Sequence, residues 1–341
     1  MGRVFSPHGF FRKGDLTVTG FASKNAPAIK GRKKGFFRTL WGQKWLMVMS
    51  VPMLLYVLLF NYYPMWGWVM AFEEYVPAQG LMGSEWVGLK HFKWLFEREE
   101  FLESIRNTLA MSLINLVLGT VSSIVLAILL NEVRSKAFKR TVQTVTYLPH
   151  FLSMVIVVGM AQNIFASNGP INDMIVQMAK WMNSTDPEGA RVFFLGEEKM
   201  FWWLVGAINV WKEVGWNSII YISTMTSIDP TLYEAASIDG AGRFQRIMNV
   251  TLPGIKSTFV VLLIMNIGHL MEAGFEIQYL MKNSQVVHYA TTIDVFVMEY
   301  GISNNNFARA TAAGMFKSIV AIILLFSANW VAKKLDEDTL I

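Results

Sequence analysis

Cysteine is absent from this 341-residue chain, which excludes disulfides, thiolate metal sites and cysteine nucleophiles. Charge is scarce: Asp, Glu, Lys and Arg make up 16% of the residues, against about 25% in an average soluble domain. The five histidines (His8, His91, His150, His269, His288) are scattered and no two stand four apart, so no helical metal pair is offered. No G-x-x-x-x-G-K-[ST] loop occurs to cradle a phosphate. The lone GRKKG at 31–35 has no strand before it and belongs to a basic tail. A G-x-S-x-G elbow and a recognisable Ser/His/Asp set are missing too. An embedded hydrolase or glycosyltransferase therefore has carboxylates in its favour and no motif. Against these absences, 53% of the residues are hydrophobic and mean hydropathy is +0.36. Several runs of roughly 20 apolar residues describe an all-α polytopic membrane protein.

The net charge of +5 could suggest nucleic acid, but its placement argues for a bilayer. Ten of the 30 Lys and Arg, from Arg3 to Lys44, precede the first apolar run, with Asp15 as the one acid among them. That is the positive-inside signal, so the N-terminus is expected in the cytoplasm. The segment is too long and polar for a cleaved signal peptide. Around GFFRTLWGQKW, basic residues interleave with aromatics, which suits either an interfacial helix or a topogenic tail.

Six spans are expected, near 45–63, 107–130, 145–166, 201–224, 255–277 and 310–332, with Pro52 kinking the first and Pro64 ending it. Residues 1–44 form a basic N-terminal segment and 45–341 the six-helix membrane domain. Tryptophans and tyrosines (Trp41, Trp45, Tyr62, Trp66, Trp202, Trp330) fall where interfaces should lie. Loop 131–144 carries Arg134, Lys136, Lys139 and Arg140 against Glu132, and Arg243, Arg246, Lys333 and Lys334 follow the same side. Loops 64–106 and 167–200 hold more acids. Both termini cytoplasmic is the consistent topology.

One polar stretch, EAASIDGAGRFQRIMNVTLP at 234–253, stands between apolar helices. Asp229 is an N-cap candidate with Pro230 at the first helical position. Glu234 then falls in the early turns, where a carboxylate suits the dipole. Asp239-Gly240 turns the chain. A second short helix follows from about Arg243 to Val250, with Pro253 ending it. On these grounds the loop 229–254 is helix, bend, helix on the cytoplasmic face. Its neighbour could equally be lipid headgroups or another protein.

The pattern E-A-A-x-x-D-G-A, with Leu252-Pro253 eleven residues on, resembles the EAA motif of ABC importer permeases. Glu234, Ala235, Ala236, Asp239, Gly240, Ala241, Ile247, Leu252 and Pro253 match it. The resemblance implies a coupling element that inserts into a cleft on a separate ATPase, with Arg243 beside the contact. The segments YYPMWGWVMAF, WVGLKHF, NTLAMSL, LLNEVRSKAFKRTVQTVTYLPHFLS, WKEVGWNSIIY and TAAGMFKS resemble the polysaccharide and oligosaccharide branch, which includes alginate importers. A type I ABC importer architecture follows, in the bacterial inner membrane. Implied partners are a second permease (a heterodimer rather than a homodimer), two ATP-binding subunits and an external solute-binding protein. No cofactor is expected on this chain, which is not an enzyme; ATP and Mg²⁺ belong to the ATPases.

In the fourth span Lys212 and Glu213 lie about eleven residues, or ~16 Å, from either end. A mid-bilayer charge costs ~2.5 kcal/mol or more, so both should face the bundle interior or a wet cavity. Adjacent residues point about 100° apart, so different partners are expected for the two. Asn209 and Trp216 share the Lys212 face, and Asn217 shares that of Glu213. In the fifth span Asn266, His269, Glu272 and Glu276 should line one side of a helix. The bland reading is an interhelical salt bridge, Lys212 to Glu272 or Glu213. The functional one is a sugar path, with Trp211 or Trp216 stacking on pyranose rings and Asn and acidic groups binding hydroxyls. For a uronate polymer such as alginate, Lys212 and His269 would meet carboxylates. An ATP-independent carrier or channel is the rival function. Such carriers tend to show internal repeats and interrupted helices, and the sequence suggests neither.

Overall fold

The computed structural model describes residues 42–334. Of the expected flexible or interfacial N-terminal segment, 1–44, residues 1–41 lie outside the described residues. The chain divides into two compact units, Met1–Tyr63 and Pro64–Ile341. In the first, helix α1 (Lys44–Val57) contains Pro52 and runs into a π-helical turn, Leu58–Tyr62. Its side chains are exposed throughout, as befits a surface for lipid or another chain.

Pro64 does not end the helical run as expected. It opens a 3-10 stretch reaching Phe72, where a missing N–H and a fixed φ do no harm. A two-stranded antiparallel ribbon follows, with Glu73 opposite Trp86 and Glu74 opposite Glu85. Lys90 Nζ reaches Glu74 at 2.6 Å, and this bond holds the Glu74 carboxyl below its ordinary pKa.

Two long helices form the spine of the second unit. Helix α2 (Glu99–Glu132) packs along α3 (Glu198–Ser227), 34 and 30 residues long. Near one end Ala127 of α2 shares a core with Tyr221 and Met225 of α3 and with Ile255. Near the other, Met111 joins Phe201, Leu204 and Val205. Helix α4 (Phe307–Lys334) packs against Lys256–Gly268. Among the described residues, Lys44–Phe72, α2 and α4 are long and apolar enough to cross a membrane. Helix α3 is long enough, but Lys212, Glu213 and its asparagines dilute its apolar character.

The other two expected spans are broken, which corrects the straight helices at 145–166 and 255–277 and the absence of interrupted helices. Lys136–Phe151 meets Met154–Ile164 at 104°. After Tyr147 the chain tightens into a 3-10 turn, Leu148–Phe151, and Ser153 caps a fresh helix by accepting from Ile156 N. Arg243–Gly254 meets Lys256–Gly268 at 57°, and there helix ends at Gly268 rather than continuing to 277. His269 Nδ1 lies 2.9 Å from Met265 O, the carbonyl a continuing α-helix would give to the His269 backbone. That backbone N–H bonds Asn266 O instead, and Gly274 then takes φ +93°, a left-handed conformation that glycine tolerates. His269, Glu272 and Glu276 therefore do not share a helical face.

Candidate functional site

The polar stretch at 229–254 folds from its own capping signals. Asp229 accepts from Thr231 N at 2.9 Å, which holds its carboxyl below the ordinary value, and Pro230–Ile238 is helical. Gly240, at φ +79°, makes the bend. The second helix starts at Arg243, where Gln245 Oε1 accepts from Gly242 N at 2.8 Å. It runs past Val250 through a π turn, Ile247–Thr251, and stops at Gly254 rather than at Pro253. The π turn widens the ladder just before the proline that cannot donate to it. Two contacts brace the arms: Tyr233 Oη to Thr251 Oγ1 at 3.0 Å and Arg246 Nη1 to Ser237 Oγ at 3.2 Å. Glu234, Ala235, Asp239 and Arg243 are exposed, Ala236 and Ala241 half-buried, and Ile247 turns partly inward. At the bend Ile238 is 86% and Phe244 74% exposed.

The residues expected on a sugar path divide into three groups. Lys212, 7% exposed, donates to His150 O at 2.8 Å and to Glu213 Oε1 at 3.0 Å. Glu213 Oε2 in turn meets His150 Nδ1 at 2.7 Å. The expectation of separate partners is thus wrong, because long side chains overcome the 100° offset by bending to one residue. The Lys212–Glu213 pair is present; Lys212–Glu272 is not. The His150 ring stacks on Trp216 at 4.3 Å and 4°, covering one of its faces. His150, at the 104° bend, was dismissed with the scattered histidines. Its signal was the neighbouring Pro149, which marks a break where a buried charge could find a partner.

Trp211 stands apart. It borders an apolar cavity of about 240 Å³ beside Val157, Met160 and Ile164. The third group surrounds a polar cavity of about 250 Å³: Asn217 from α3, Asn266, His269 and Glu272 from the broken fifth segment. Helix α2 adds Ser112, Asn115, Thr120 and Ser123, none of which was anticipated. Their signal was a row of small polar residues inside an apolar run. Asn209 Nδ2 reaches Asn115 Oδ1 at 3.4 Å, behind this lining. A larger cavity, about 740 Å³, opens on the other side of Glu272, bordered by Trp68, Phe275, Asp294 and Lys317. Among the described residues no group of three or more His, Asp or Glu is arranged to hold a metal.

Residues 108–339 match the family described as the binding-protein-dependent transport system inner membrane component. The chain belongs to that family. This permease is 43% identical over 324 residues to the polygalacturonan/rhamnogalacturonan transport system permease protein YteP of Bacillus subtilis (strain 168), covering 93% of this chain and 98% of the relative. Protein LplB of the same organism is 40% identical over 319 residues, with coverage of 93% and 98%. A crystal structure of a bacterial alginate ABC transporter, in complex with an alginate pentasaccharide-bound periplasmic protein, contains a chain of the same fold. Its TM-score is 0.80 at 35% identity, covering 90% of this permease and all of that chain. The resemblance read from the EAA stretch therefore holds across the chain.

Proposed function

We propose that this permease is the transmembrane subunit of an ATP-driven importer of oligosaccharides or polysaccharides, with six spans and both termini in the cytoplasm. It works beside a second permease, two ATPase subunits that hold ATP and Mg²⁺, and an external solute-binding protein. The observation that carries this reading is the braced element 229–254, which thrusts Ile238 and Phe244 into solvent. Large apolar side chains exposed at the tip of a polar bend fit a protein cleft better than water. Glu234, Ala235, Ala236, Asp239, Gly240 and Ala241 carry the motif, small enough at the alanines and Gly240 for close approach. Arg243 faces the ATPase or nearby lipid, while Ile247 and Pro253 seat the second arm. Closure of the ATPases on nucleotide would displace this element and switch the cavity between its two faces.

The saccharide would follow the polar cavity, with Asn217, Asn266, His269 and Glu272 meeting hydroxyl groups. The Lys212–Glu213–His150 cluster holds the broken third segment against α3, and Trp216 offers its remaining surface. Trp211 lines no polar space and is a poor stacking platform. A uronate polymer is the substrate that the names of the relatives suggest.

Gly240→Val forces a β-branched residue to φ +79°, a strain of ~1–2 kcal/mol or more, and Glu234→Lys inverts a motif charge. Both should abolish co-purification with the ATPase and saccharide uptake while the permease still inserts. Retention of both properties would return the element to the role of an interfacial loop and leave an ATP-independent carrier as the better description.

A further inference from the structure

We infer that this permease's half of the path is built for uncharged, hydroxyl-rich sugar units and rejects uronates, with Glu272 as the discriminating residue. The inference rests on the importer reading above and adds the substrate's charge.

Glu272 is exposed and borders both the 250 Å³ and the 740 Å³ cavity, so it stands where one opens toward the other. It forms no ion pair among the described residues. Its segment, 269–275, is irregular backbone within an apolar bundle, an arrangement tolerated where it lines a wet cavity.

The cations that could offset it are engaged elsewhere. Lys212 is buried against His150 O and Glu213. Among the described residues Lys317 is the one lysine or arginine on either wall, and Asp294 holds it at 2.6 Å. With His269 neutral, the two cavities together carry a net negative charge, contributed by Glu272. A carboxylate passing this point would meet a like charge with no lysine or arginine free to offset it, which costs several-fold in occupancy. A neutral sugar hydroxyl would instead donate to Glu272.

The amides of Asn217 and Asn266 border the smaller cavity and can pair with a sugar hydroxyl entering it.

The test uses the assembled complex in proteoliposomes, with its ATPases and solute-binding protein, and a neutral and a uronate oligosaccharide of equal length. ATPase stimulation is read for each. The neutral sugar should stimulate more strongly. Glu272→Gln should raise the uronate-to-neutral ratio several-fold, since it removes one solvent-screened like-charge contact. Glu272→Asp should keep the wild-type ratio. The binding protein is common to all three complexes, so a shifted ratio reports on the permease. Equal or stronger stimulation by the uronate in the wild-type complex overturns the inference. So does an unchanged ratio in an assembled Glu272→Gln complex. If Glu272→Gln does not assemble, the ratio in Glu272→Asn is read in its place. Stimulation by neither sugar overturns the importer reading itself, a result distinct from the others.

Discussion

Lys212 shows how far a single residue can be read in advance. A charge ~16 Å from either end of a helix had to be buried and partnered, and it is. Its partner was not legible, because His150 stands 62 positions away and reaches Lys212 through a bend that helical periodicity does not register. Removing the amine by Lys212→Met leaves the His150 carbonyl and one Glu213 oxygen short of a donor. The expected loss is about 1–3 kcal/mol, seen as a lowered unfolding temperature of the purified permease. His288 offers a pH-dependent counterpart. The Glu103 carboxylate accepts from its Nδ1 at 2.8 Å, and that bond raises its pKa above the ordinary 6.5. A raised folded-state pKa means that the contact is fully present below about 6.5 and fades as pH climbs through the higher value. Titration of His288 by NMR should therefore give a midpoint above that of a free histidine, returning toward it in Glu103→Gln.

Elements divide by whether local chemistry or distant packing made them. The cap at Asp229, Pro230 at the first turn and the bend at Gly240 follow from neighbours in sequence, and the structure has them all. Asp229→Ala should loosen the first turn of the Pro230–Ile238 helix, read as faster amide exchange across those residues alone. The lowered Asp229 pKa gives this cap a pH sign: its contribution stands above the ordinary carboxylate pKa and is lost as pH falls through the depressed one. The broken spans were harder. A hydropathy run is indifferent to whether Leu148-Pro149 or Gly268-His269 bends the chain. At the second break, a histidine ring taking Met265 O is a choice among competing donors that only three dimensions decide. The surface helix 243–254 outran its expected end because a π turn absorbs Pro253, a possibility that a simple breaker rule omits.

At the level of the molecule, membrane class and family could be read from composition and one motif, whereas the cavities could not. Asn217 and Asn266 were named as path residues and do meet around one space. Ser112 and Asn115 were not, since small polar residues in an apolar helix carry no periodic signature of their own. Glu272 was expected on one helical face with His269 and Glu276 and instead borders two cavities from irregular backbone. The same spine holds a mechanical consequence. Helix α3 runs without interruption for 30 residues and stops three residues before Pro230, so the surface element hangs from the end of a stiff strut. From Ser227 to Lys212 the strut measures ~22 Å. A tilt of a few degrees imposed at its lower end would become a displacement of ångströms beside the polar cavity, with no hinge in between to dissipate it.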